Sequence, residues 1–162
     1  MVHFCCRMAQ DPSLTAANEK RATVAEAARQ IRALHDAGID HVDLHLKNLL
    51  VNRSEDAAPR VSIIDLDKAR ETNPRSRAHR LRNLMRLARS ARKLRVAQRA
   101  LGPRTRLRFL REYLKGLPDE RRLMRQWAPR LARSGQWREG WWSAIGAERD
   151  IKGDRMDEAR PA

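Results

Sequence analysis

Cysteine is almost absent from the 162 residues: Cys5 and Cys6 are the whole complement, and they are adjacent. Sequence neighbours rarely bridge each other and two cysteines build no disulfide framework, so a reducing compartment is expected. Aromatics are scarce too, at 4%. That excludes a large aromatic core and leaves few rings for stacking on bases. No run of about eighteen apolar residues occurs, the signature a membrane-spanning helix needs. The opening MVHFCCRMAQDPSL lacks the apolar stretch of a signal peptide. Together these absences predict a cytoplasmic protein.

Acidic residues are the next shortage. Lys and Arg number 35 against 20 acids, a formal net charge of +15. The excess sits in one half: Arg70 to Arg133 holds 21 basic and four acidic residues, +17, which leaves −2 for the rest. Such a balance calls for an anionic partner, whether nucleic acid, an acidic membrane surface or a phosphorylated substrate. The length suits one domain, and the 41% hydrophobic residues, mostly aliphatic, suit a helical core.

Residues 1–22 show no clear period and are expected to form an irregular arm. Thr23 and Glu26 have the spacing of a capping box, and Val24, Ala27, Ala28, Ile31 and Leu34 share one helical face. A helix over residues 23–36 is therefore predicted, stopped by Gly38. Two short apolar runs follow, Asn48 to Val51 and Val61 to Asp65, joined by the polar NRSEDAAPR; they predict a β-hairpin. Beyond Arg70 the period is helical again. Leu81, Leu84, Met85, Ala88 and Ala91 form one stripe. A helix over 104–115 should bury Leu107, Leu110 and Leu114. A third, from near Pro118, should bury Leu123, Met124, Trp127 and Leu131 and kink at Pro129. Trp137, Trp141 and Trp142 suit core packing better than a membrane interface, and residues 147–162 have the composition of a frayed tail.

Two polar clusters could carry chemistry. His41, Asp43 and Asn48 form H-x-D-x-x-x-x-N just before the first strand. In a kinase-like loop the aspartate stands beside the acceptor hydroxyl and the asparagine reaches a magnesium ion on the nucleotide phosphates. Three fixed positions arise by chance with a probability of roughly a few per cent. The second cluster, Ile63-Ile64-Asp65-Leu66-Asp67, ends the second apolar run in D-x-D and could supply the carboxylate that Mg²⁺ prefers. The bland readings are a capped polar turn for the first cluster and a strand terminator for Asp65. Asp67 is either a supporting acid or a partner for Lys68 or Arg70. His3, His35 and His79 are expected to be ordinary surface or boundary histidines, and both cysteines inert.

The order of helix, H-x-D-x-x-x-x-N, strand, loop, strand and acidic end resembles the centre of a kinase C-terminal lobe. LHDAGIDHVDLHLKNLLV followed by VSIIDLDKAR, with NLMRLARSARKL and FLREYL beyond, is similar to the lipopolysaccharide core kinases, especially the 3-deoxy-D-manno-octulosonic acid (Kdo) kinases. The resemblance covers about residues 25–115. It implies an α+β, mostly α, protein-kinase-like C-lobe over residues 23–146 with one small hairpin. It also implies transfer of the ATP γ-phosphate to a Kdo or heptose hydroxyl of the lipid A-linked inner core. On that resemblance Asp43 is the catalytic base, Asn48 and Asp65 hold Mg²⁺, and His41 supports the loop. Asp67 replaces the glycine of D-F-G and belongs to the cofactor-binding set. His45 resembles the second histidine of aminoglycoside and choline kinase loops, which makes Lys47 the phosphate contact. The implied location is peripheral, on the anionic cytoplasmic face of the inner membrane.

A kinase also needs a glycine-rich turn over the phosphates and a strand lysine paired with a helix glutamate. No G-x-G occurs in the sequence, and no lysine stands in a β-rich run before His41. The expectation is a lobe that is completed by a missing N-terminal lobe or a second chain. The competing readings are a non-catalytic remnant of the fold and a basic helical nucleic-acid-binding module. The last is supported by charge alone and leaves both acidic clusters unexplained.

Overall fold

A computed structural model describes residues 1–11, 13–54, 57–94 and 100–134. Two helices come first, α1 (Val2–Gln10) and α2 (Leu14–Asp36), then the two-residue strand β1 (Ile39–Asp40) and a 3₁₀ turn, Leu46–Asn48. The hairpin β2 (Leu49–Ser54) and β3 (Ala57–Ile63) follows, then the short β4 (Arg70–Glu71). Among the described residues three longer helices follow, α3 (Arg77–Lys93), α4 (Pro103–Leu114) and α5 (Glu120–Arg133). The result is mostly helical with one small hairpin, as the pattern predicts.

The expected irregular arm is instead helical. Met1, Phe4, Cys5 and Met8 are buried, and their spacing is one helical face in a segment too short to announce itself. Burial pushes the Cys5 thiol up to about 11, so it stays an inert core residue. The capping box at Thr23 is not used either. α2 starts earlier, where the Ser13 side chain accepts from the Ala16 amide at 3.1 Å. Thr23 lies fully buried in mid-helix, because the alanine-rich stretch before it is itself good helix. At its other end α2 stops as predicted, with Gly38 at φ +74°. A Cβ there would stand 2.8 Å from the Thr72 carbonyl, and that close approach lets Thr72 donate to the Gly38 carbonyl at 2.7 Å.

The β2–β3 hairpin is antiparallel, with Leu49 opposite Ile63, Leu50 opposite Ser62 and Val51 opposite Val61. Most of the predicted linker is strand rather than loop, so both strands run well beyond the apolar runs that mark them. Pro59 is tolerated because a two-stranded sheet has free edges. Alternation turns Leu49, Val51, Val61 and Ile63 inward and Leu50 outward. β1 pairs with β4, Ile39 opposite Glu71 and Asp40 opposite Arg70; at two residues each, neither strand carries a readable period.

α2 is the central helix, packed against α4 on one side and β3 on the other, while α5 closes against α3 and α4. Leu110, Tyr113, Leu114, Leu123 and Trp127 fill that junction. Leu107, expected in the core, is 44% exposed, whereas Tyr113 is fully buried. On α3 the stripe turns by part of a residue, burying Leu87 more deeply than Met85. α5 continues through Pro129 to Arg133. The predicted tail and Trp137, Trp141 and Trp142 lie outside the described residues.

His35 also departs from expectation: it is a core residue. Its Nδ1 lies 2.7 Å from the Tyr113 hydroxyl and its Nε2 3.4 Å from Asn83 Oδ1. Asn83 in turn donates to Asp40, and His79 Nδ1 stands 3.3 Å from the same carboxyl. Burial pushes Asp40 up, but these hydrogen bonds outweigh it and hold the carboxyl below its ordinary value. The network ties α2, β1, α3 and α4 together one residue before His41. Nearby Arg80, also buried, donates to Asp36 at 2.6 Å and to the Pro74 carbonyl.

Candidate active site

The segment His41–Asn48 leaves β1, turns, and enters β2 through the 3₁₀ turn. Three contacts hold it. Leu44 donates its amide to the His41 carbonyl at 3.1 Å, and Asn48 donates to the His45 carbonyl at 3.0 Å. Ser90 of α3 accepts from the Leu46 amide at 3.0 Å and donates to the Leu87 carbonyl at 2.8 Å. Buried Leu44 and Leu46 anchor the loop from below, which leaves the intervening residues Asp43, His45 and Lys47 facing outward.

His41 is buried, and its Nε2–H donates to the Ile64 carbonyl at 3.2 Å. A residue at the loop's start thereby pins the chain that has just left β3. Ile64 also donates its amide to the Asn48 carbonyl at 3.0 Å. The two motifs, some twenty residues apart in sequence, are thus stitched side by side.

Asn48 is the second buried polar residue of the loop. Its amide nitrogen donates to the Asp43 carbonyl at 3.1 Å and lies 3.4 Å from Asp65 Oδ2. With the nitrogen so engaged, the amide oxygen is the atom left to meet a ligand. Asp65 sits two residues past β3, at φ 63°. It holds a left-handed conformation that costs most side chains of order 1–2 kcal/mol and that aspartate tolerates better. That turn directs the exposed carboxylate toward Asn48 rather than along the strand.

Asp43 is exposed at the mouth of the loop, with His45 Nε2 3.5 Å from its Oδ2. Lys47 is exposed on the 3₁₀ turn. Asp67 is exposed in the turn closed by Ala69 donating to the Leu66 carbonyl at 2.8 Å, and neither Lys68 nor Arg70 pairs with it. Of the predicted set, the structure brings His41, Asp43, Asn48 and Asp65 together; Lys47 and Asp67 stand at the rim.

Sequence reasoning missed several contributors. Ser90 carries no motif, since its task is set by packing. Asn83 and Asp40 look like ordinary helix and strand residues. Three exposed apolar side chains beside the loop also carry no motif, Leu50 at 49%, Ile64 at 39% and Leu66 at 41% exposure. Among the described residues no three His, Cys, Asp or Glu side chains form a metal cage. Magnesium does not require one, since it keeps waters and phosphate oxygens and takes one or two protein carboxylates. The donor set of Asp65 and the Asn48 amide oxygen fits that demand.

Among solved structures, WaaP in complex with acyl carrier protein is similar to this chain at 28% identity with a TM-score of 0.55. The match covers 76% of this chain and 54% of that one, so the chain spans about half the length of its solved relative. No curated protein matches. The family model of the lipopolysaccharide kinase (Kdo/WaaP) family matches residues 3–113, a stretch that contains the loop, the hairpin, Asp65 and α3; the chain belongs to that family.

Proposed function

We propose that this chain is the C-terminal lobe of an ATP- and Mg²⁺-dependent kinase that phosphorylates a sugar hydroxyl, Kdo or heptose, of the lipopolysaccharide inner core. The observation that carries the proposal is the convergence of Asn48 and Asp65, delivered by separate motifs, beside an exposed Asp43. On this reading Asp43 orients the acceptor hydroxyl and accepts its proton, and His45 steadies that carboxylate. Asn48 and Asp65 hold Mg²⁺, which when bound would neutralise charge on the phosphate oxygens. His41 keeps loop and hairpin in register. Lys47 meets phosphate from the rim, and Asp67 supports the cofactor side. The exposed Leu50, Ile64 and Leu66 suit the flat face of a nucleotide base.

The chain has no glycine-rich turn, so the proposal assigns the cover over the phosphates to an N-terminal lobe or a second chain. A lipid-linked acceptor places the work at the anionic cytoplasmic face of the inner membrane. The solved relative's complex extends the proposal to an acyl carrier protein as partner. Among the described residues no helix is long and apolar enough to cross a membrane.

The test is transfer of labelled γ-phosphate from ATP to a Kdo-terminated lipid A acceptor. Asp43→Asn should lower the rate by at least about a hundredfold, the usual worth of a positioned general base, while leaving nucleotide binding in place. A variant as fast as wild type would remove Asp43 from the chemistry.

A further inference from the structure

One row of the excess positive charge combines unpaired cations with an exposed apolar side chain. On α4, Arg104, Leu107, Arg108 and Arg111, with Lys115 just past the helix end, recur at i, i+3, i+4, i+7 and i+11. That spacing is one stripe of a helix, and all five side chains are exposed. The opposite face buries Leu110, Tyr113 and Leu114. Four arginines elsewhere are paired, Arg29 to Glu26 and Glu112, Arg32 to Asp36, Arg77 to Asp119 and Arg80 to Asp36. Among the described residues the four cations of the stripe have no carboxylate partner and make no side-chain hydrogen bond. Glu112, the one acid of α4, is turned aside to Arg29 at 3.1 Å.

We propose that this α4 stripe is the surface that docks the protein on anionic lipid headgroups. Four unpaired cations on a convex helix match a plane of negative charge, each worth about fivefold in partitioning. Leu107, apolar and 44% exposed among them, is the side chain that enters the headgroup layer. The same features disfavour nucleic acid. Among the described residues Tyr113 and Trp127 point inward, at 0% and 3% exposure, so the stripe offers no ring for a base to stack on. The inference takes its purpose from the kinase reading, which needs a lipid-linked acceptor, but not its evidence.

Vesicle co-sedimentation of the whole chain, without ATP, is the test. Vesicles rich in phosphatidylglycerol should retain the protein, and neutral phosphatidylcholine vesicles should not. Arg104→Gln/Arg108→Gln/Arg111→Gln should weaken retention by roughly a hundredfold, at about fivefold per charge. Arg75→Gln/Arg82→Gln/Lys93→Gln, which removes the same charge elsewhere, should weaken it far less. Leu107→Gln, at constant charge, should weaken it about threefold. Equal losses in both triple variants would overturn the stripe, as would equal retention on neutral vesicles. Displacement from vesicles by generic RNA or by acyl carrier protein, acting through the same three arginines, would reassign the surface to that partner. Because nucleotide is absent throughout, failure here leaves the Asn48–Asp65 site untouched, and loss of nucleotide binding leaves this surface untouched.

Discussion

Asp65 concentrates the residue-scale argument. Its acidity and its place after an apolar run were legible in the sequence; its backbone conformation was not. A residue at φ 63° is set by what surrounds it, here the Ile64 amide and carbonyl held by Asn48 and His41. Aspartate and asparagine accept this conformation, whereas β-branched residues do not. Asp65→Asn should therefore unfold at the wild-type temperature, while Asp65→Val should lose about 1–2 kcal/mol in denaturant titration. Equal stability of the two would mean that the left-handed turn is not imposed. Asn48 shows the same division: its identity marked it as a candidate, but only the fold shows which end of its amide is engaged. His45 was set aside on resemblance, although its ring nitrogen stands 3.5 Å from Asp43.

At the scale of elements, long periodic segments could be read and short or polar ones could not. α3, α4 and α5 and the end of α2 follow from apolar spacing and Gly38. α1 was hidden by its length, and β1 and β4 by having two residues each. The buried network of His35, Tyr113, Asn83 and Asp40 was invisible for another reason: its members come from four elements, and each taken alone resembles surface. Yet it decides where the loop begins. Burial, helped by the charge of Arg80 and opposed by the Asn83 hydrogen bond, lowers His35 to about 4. Buried neutral, it stabilises the fold fully above the ordinary imidazole value. That contribution is lost as pH falls from about 6.5 toward 4, where the unfolded chain binds a proton that the folded chain refuses. Denaturant titrations should show stability rising on the order of 3 kcal/mol across that window. In His35→Gln the rise should be largely gone. An unchanged pH dependence in that variant would assign the effect to other groups.

The whole molecule carries +15, and charge of this size says what kind of partner to expect without saying where it binds. The structure distributes it: Arg29, Arg77 and Arg80 close ion pairs between elements, while α4 carries a row of exposed cations with no carboxylate partner. Composition could not separate those two uses, because pairing depends on which helix faces which. The described residues supply acceptor-side and metal-side groups, while the match covers only 54% of the solved relative and no glycine-rich turn is encoded here. The central claim is that Asn48 and Asp65 form one magnesium–nucleotide site. Calorimetric titration of the purified chain with ATP and Mg²⁺, with Asp65→Ala alongside, tests it most directly. Magnesium-dependent binding by wild type, abolished in Asp65→Ala, is the predicted result; binding that is as tight in the variant, or none in either protein, would contradict it.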